Sequence, residues 1–361
     1  MRVLIAPNPY KHCLSAKRVA QHLGRGFRAS GWQVDLLPLA DGGPGTLDAL
    51  QTALGGERHV ARVHDALGRP CRAAWLKVGR LAVIESAEAI GLEKLGRRRD
   101  ALRASSEGLG ELLLAAQKAG CREAWVGLGG SATTDGGTGM ARAIGWSFFD
   151  AKGKDLAPGG AALRALHQVR KPAKPLLRMR IRALHDVKNP MTGPQGSAKV
   201  FAPQKGASPA QVRTLGLGLQ RLATLLGASR AKRQGAGAAG GLGFGLSLFT
   251  GSRLQSGAWA LLCLTGFRER LAKADLVVTG EGRLDAQTLG GKLPARILAT
   301  AKRAGKPSAL VVGHRLGGLA PWQRLGALAI VDLSAAAGSV ARAMREAPQR
   351  LEAAGRLLGS L

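Results

Sequence analysis

The chain has 361 residues, 45% of them hydrophobic, with 52 glycines and a formal net charge of +30. Such a length and composition exclude a disordered chain and suffice for a large core shared between two domains, and no apolar run approaches the roughly 20 residues needed to span a bilayer. The charge raises polyanion binding, but aromatics are only 4% and the longest basic run is Arg97–Arg99, too little for a base-stacking platform, so nucleic acid is kept as a minor reading.

The N-terminus, M-R-V-L-I-A-P, reads as a strand and is too short for a signal sequence. Cys13, Cys71, Cys121 and Cys263 are far apart and form no C-x-x-C pair, which fits free thiols in a reducing cytoplasm. After the strand at 2–6, Ser15 is placed to cap a helix running to about Arg28, with Val19, Leu23 and Phe27 on its apolar face. A second strand, 32–39, enters A-D-G-G-P-G-T, with Asp41 at the strand end and Thr46 as the expected helix cap. Successive strand-loop-helix units predict a parallel sheet, whose ligands bind at the carboxyl ends of strands. Lys11, Asp41 and Thr46 are expected on that rim.

Residues 58–90 change character to antiparallel strands with turns at Gly68 and Gly79, which puts a domain boundary near 65. Then comes A-W-V-G-L-G-G-S-A-T-T-D-G-G-T-G-M, Ala124 to Met140. It reads as strand, glycine loop and helix. Glycine lets backbone amides approach a ligand, and a helix start favours an anion such as phosphate. Such a loop can also be only a tight corner.

A basic, proline-broken segment at 164–182 leads to Asp186, the first acid after Asp155, at a strand end followed by V-K-N-P. The stretch Gly235–Gly245 carries no polar side chain, so close packing of a small-residue helix weighs equally with ligand binding. The stretch 274–294, A-D-L-V-V-T-G-E-G-R-L-D-A-Q-T-L-G-G-K-L-P, is harder to explain by packing. Glu281, Arg283, Asp285, Thr288 and Lys292 alternate there with glycines, in a half of the chain where acids are sparse. A helix at 294–304, a strand at 308–313 and a strand at 326–333 follow.

These motifs, in their order, resemble the bacterial glycerate kinases of glycolate and aldarate degradation, and the similarity covers nearly the whole chain. The resemblance implies ATP-dependent phosphorylation of D-glycerate, usually at the 2-hydroxyl. It implies an α/β architecture with the site in a cleft: a flavodoxin-like domain of residues 1–65 plus 286–361, and an inserted α/β domain of 66–285. The departures cluster at the front. The usual P-D-S-F-K-G-S-L-S-A is here P-N-P-Y-K-H-C-L-S-A, so Asn8 replaces an aspartate; Pro44 replaces a glutamate; Lys188 and Glu107 are also unusual. A weakly active member, or a basic nucleic-acid-binding protein on the same scaffold, is the alternative.

The expected roles follow from phosphoryl-transfer chemistry, which asks for positioning and charge neutralisation. Gly129, Gly130, Ser131, Thr133, Asp135, Gly136, Gly137 and Lys292 are assigned to the ATP phosphates. Asp186 and Glu281 are assigned to Mg²⁺, a hard ion wanting carboxylate oxygen. Lys11 and Arg283 are to grip the glycerate carboxylate, with Thr46 and Asn189 as further substrate contacts. Asp285 or Asp41 is to accept the hydroxyl proton. No obligatory protein partner is expected, and a homodimer is left open.

Overall fold

The run V-L-I-A has no polar face, so a strand built from it needs cover on both sides. In the computed structural model it is the strand Arg2–Ile5, inside a five-stranded sheet. The structure describes residues 1–360 apart from Asp41, Pro44 and Gly290, and only the backbone of Ala286 and Gln287. The role expected of Asp41 and the departure at Pro44 therefore lie outside the described residues.

By internal contacts the chain divides into two units: Met1–Asp41, Asp48–Gly55 and Ala258–Leu361 form the first, and Gly42–Leu47 with Gly56–Gly257 the second. In the first, the strands run in the order Ala327–Asp332, Ser308–Val312, Leu276–Thr279, Arg2–Ile5, Gln33–Leu36, and every pairing is parallel. Counted along this unit's own chain the order is 2-1-3-4-5, the flavodoxin-like winding. Val3 and Ile5 pack with Val19, Leu23 and Phe27 of the helix Ala16–Ala29 and with Leu351 and Leu358 of the helix Ala347–Gly359. Leu4 and Ala6 face the other way, onto Leu293, Ile297 and Ala301 of the helix Leu293–Arg303. Ser15 caps the first helix as expected, its side chain accepting the Arg18 amide at 3.4 Å. Where that helix crosses the C-terminal one, a Cβ on Gly26 would stand 2.8 Å from the Gly355 Cα, so two glycines let the backbones touch.

The second unit holds a six-stranded mixed sheet, ordered Arg253–Ser256, Arg180–His185, Glu123–Gly127, Leu81–Glu85, Pro70–Val78, Glu57–His64. The first three pairings are parallel and the last two antiparallel. The hairpins read from the turns at Gly68 and Gly79 are thus present. The cap expected of Thr46 takes another form. Thr46 opens the helix Thr46–Leu54 and its hydroxyl donates to the Gly43 carbonyl at 2.6 Å. The acceptor at this helix start is the buried Glu85 carboxylate, which takes the Leu47 amide at 2.7 Å, a negative charge at a positive helix end.

Candidate active site

In a sheet wound this way, ligands sit beyond the carboxyl ends of the strands where the winding reverses. In the first unit that point lies between Arg2–Ile5 and Leu276–Thr279. The chain leaving both strands is tied together there. The Asn8 amide donates to the Gly280 carbonyl at 2.8 Å, and the Thr279 hydroxyl to the Ala6 carbonyl at 2.7 Å. The buried Tyr10 phenol donates to the Val311 carbonyl at 2.6 Å; burial, then the nearby Glu281 charge, push its pKa up. Tyr10 and Leu14 exchange backbone hydrogen bonds of 2.8 and 2.9 Å, which leaves Lys11 exposed on the turn between them. Glycine is required opposite: a Cβ on Gly280 would fall 1.6 Å from the Val311 carbonyl oxygen, and one on Gly282 3.0 Å from the Tyr10 Cα.

The polar loop that follows is ordered by its own side chains. The Thr288 hydroxyl donates to Glu281 Oε1 at 2.5 Å. Arg283 and Leu284 pair in parallel with His314 and Arg315. Arg283 Nε lies 3.8 Å from Asp285 Oδ2, its guanidinium side chain 67% exposed and the carboxylate 25%, an arrangement that leaves the arginine fork open to solution. Lys292 occupies the N-cap position of the helix Leu293–Arg303. A cation at a positive helix end is unfavourable by itself and favours an anion at that spot.

Asn8 sits at the same reversal point, 3% exposed, and its Oδ1 has no hydrogen-bond partner among the described residues. In the sequence Asn8 stands out only as a departure, without a role.

In the second unit the glycine loop at 129–137 turns inward. Gly129 is half-buried and Gly130 exposed, but residues 131–137 are buried. The Gly136 amide donates to the Gly240 carbonyl at 3.0 Å, Ala132 to Ile90 at 2.8 Å, and Gly129 to Gly42 at 3.4 Å. Asp135 is fully buried, and its carboxylate accepts from the Ser106 amide and hydroxyl, both at 2.8 Å, and from the Gly137 and Gly139 amides, both at 3.1 Å. The helix Thr138–Ala143 therefore spends amides of its first turn on the protein. The partner of this loop is Gly235–Gly245. A Cβ on Gly240 would lie 1.8 Å from the Thr133 carbonyl oxygen, and one on Gly245 2.5 Å from that of Gly136. Packing is thus what these glycines do for each other, and Ala239, Gly240 and Gly241 adopt left-handed conformations to do it, inside the helix Ala238–Phe249.

Lys205 was missed as well. Its ammonium is buried and donates to the Thr133 carbonyl at 2.6 Å. Burial pushes its pKa down to about 7, against the opposing pull of Asp135. No sequence signal marks a lysine as buried. Asp186 follows the strand Arg180–His185 and is half-buried. Asn189 donates its Nδ2 to the Gln195 carbonyl at 2.9 Å, closing its own turn. A groove of about 340 Å³ lies beyond that turn, lined by Met191, Thr192, Lys199 and Arg213 among others and by no residue of the glycine loop.

A family model described as the glycerate kinase family matches residues 3–361. The chain belongs to the glycerate kinase family. A glycerate kinase of Halalkalibacterium halodurans is 37% identical over 365 residues, covering 98% of this chain and 96% of its own. A glycerate 2-kinase of Escherichia coli K12 is 37% identical over 358 residues, covering 96% and 94%. The solved structure of a Salmonella typhimurium LT2 protein assigned as glycerate kinase 2 superposes with a TM-score of 0.86 at 36% identity, covering 100% and 97%. Similarity along the whole of the family's length does not favour the nucleic-acid-binding alternative.

Proposed function

We propose that the protein transfers the ATP γ-phosphoryl group to D-glycerate, at the 2-hydroxyl. The observation that supports this reading most is the switch point of the first unit. There Lys11, Glu281, Arg283, Asp285 and Lys292 lie on the turns that follow adjacent parallel strands, in a chain belonging to this family throughout.

In this reading Lys11 and Arg283 hold the glycerate carboxylate, the arginine by a two-pronged grip. Asp285 accepts the proton as the substrate oxygen forms its bond to the γ-phosphorus. The bond from that phosphorus to the β-bridging oxygen breaks, and ADP leaves with the electron pair. Lys292 and the helix start beside it neutralise phosphate charge. Of the glycine loop, the half-buried Gly129 and the exposed Gly130 are assigned the phosphate contact. Ser131, Thr133, Asp135, Gly136 and Gly137 are taken as its support. The Thr46 hydroxyl and the Asn189 Nδ2 donate to backbone carbonyls, which leaves the side-chain oxygen of each as the acceptor to offer a substrate.

No cluster of three or more His, Cys, Asp or Glu side chains suited to a metal occurs among the described residues. Mg²⁺ binds through one or two carboxylates plus substrate phosphates rather than in an all-protein cage. Glu281, at the reversal point of the first unit, would hold it, and it would screen the phosphate charge. The four cysteines are unpaired thiols and no helix of the described residues is long and apolar enough to cross a membrane; we place the reaction in the cytoplasm.

The test is ADP release from ATP and Mg²⁺ with and without D-glycerate, with the phosphoglycerate isomer identified by ³¹P NMR. Glycerate-dependent ADP release and a 2-phosphoglycerate signal are expected. Absence of glycerate-dependent turnover would overturn the activity; a 3-phosphoglycerate product would overturn the regiochemistry alone.

A further inference from the structure

A buried polar atom without a partner costs about 1–3 kcal/mol, so native proteins keep few, and those they keep call for an explanation. Among the described residues, side-chain atoms in that state include Asn8 Oδ1, Ser86 Oγ, and the hydroxyls of Thr133 and Thr134. The last two lie in the packed glycine loop of the second unit, and Ser86 in its interior. Asn8 differs in place. It stands where the chain leaves the inner strand Arg2–Ile5, at the reversal point of the first unit, between the turn carrying Lys11 and the Gly280 carbonyl that takes its own backbone amide at 2.8 Å.

We propose that the Asn8 side-chain amide is a substrate-contacting, specificity-determining group that receives the 2-hydroxyl of the hydroxy acid. This rests on the reading above that the reversal point of the first unit takes D-glycerate. An amide suits the task. It offers an acceptor to a hydroxyl and a donor to a neighbouring carboxylate oxygen, and it does so without charge. A carboxylate, the family's usual group at this position, can accept the same hydroxyl but has no N–H to donate. The neutral amide also takes no proton, so it positions the nucleophilic oxygen and leaves deprotonation to another group.

The inference is tested by calorimetric titration of the full-length protein, with ADP and Mg²⁺ present, using D-glycerate and 3-hydroxypropanoate, which lacks the 2-hydroxyl. Wild type is expected to prefer D-glycerate by about tenfold, the worth of one well-made hydrogen bond. Asn8→Ala should bind 3-hydroxypropanoate as wild type does and lose the preference, with a melting temperature equal to or above that of wild type because the orphaned atom is gone. Asn8→Asp retains an acceptor and should keep the preference, which guards against a misfolded alanine variant. An undiminished preference in Asn8→Ala, or no binding of D-glycerate to wild type, overturns the inference. Binding with the expected preference but without ATP turnover would sink the kinase reading and leave this one standing.

Discussion

His12 holds φ +61 in the turn between Tyr10 and Leu14, where the family's usual motif has glycine. A side chain in the left-handed region is strained by about 1 kcal/mol, and glycine relieves the clash. His12→Gly is expected to raise the urea midpoint by an amount equivalent to about 0.5–1 kcal/mol, less the entropy glycine adds to the unfolded chain; an unchanged or lower midpoint contradicts the strain. Lys205 makes a different prediction. Its folded pKa of about 7 lies below the usual 10.5, so between those values the unfolded chain holds a proton that the native state sheds. Stability due to Lys205 therefore rises with pH through that window and is least below pH 7. Urea titrations of wild type and Lys205→Met from about pH 6.5 to 8.5 should show a stability difference drifting in favour of wild type as pH rises. A pH-independent difference would mean the ammonium is not desolvated in the folded chain. Lys205 was illegible in the sequence because burial is set by residues far away in the chain, Thr133 and Asp135. Asn8 was half-legible: the departure was visible, the unpartnered oxygen was not.

The glycine stretches show where element-level reading succeeds and where it stops. Strand, loop and helix around Gly127–Gly139 follow from apolar runs and turn residues, and the capped helix Ala16–Ala29 follows from Ser15 and its periodic apolar face. What the loop does could not be read, because its partner, Gly235–Gly245, is remote in sequence. Glycines that admit a ligand and glycines that admit another backbone leave the same letters. The distinction is measurable. Gly240 has φ +73 and no room for a Cβ, whereas Gly216, in the helix Pro209–Leu226, meets nothing closer than 3.9 Å. Gly240→Ala should destabilise by about 2–4 kcal/mol, and Gly216→Ala should stabilise by about 0.5–1 kcal/mol. Denaturation curves that rank the two alike would remove the packing argument. By contrast, the acids, cations and glycines of 280–292 are not what packing alone selects, and the described residues of that stretch follow the strand Leu276–Thr279 at the winding reversal.

At the scale of the whole molecule the net charge of +30 acts on two anionic substrates at once. Long-range attraction speeds their encounter and is screened by salt. The kcat/KM for both ATP and D-glycerate should fall severalfold between about 0.02 M and about 0.3 M NaCl, with kcat little changed; a flat dependence would make the charge irrelevant to capture. The weave of the first unit has a further consequence, for synthesis. The inner strand Arg2–Ile5 pairs on one side with Gln33–Leu36, which follows at once, and on the other with Leu276–Thr279. At ordinary translation speeds the ribosome needs on the order of 15–50 s to deliver that second neighbour, during which the nascent chain can complete the contiguous body Gly56–Gly257. Until then the apolar edge of Val3–Ile5 lacks the neighbour that covers it in the folded chain.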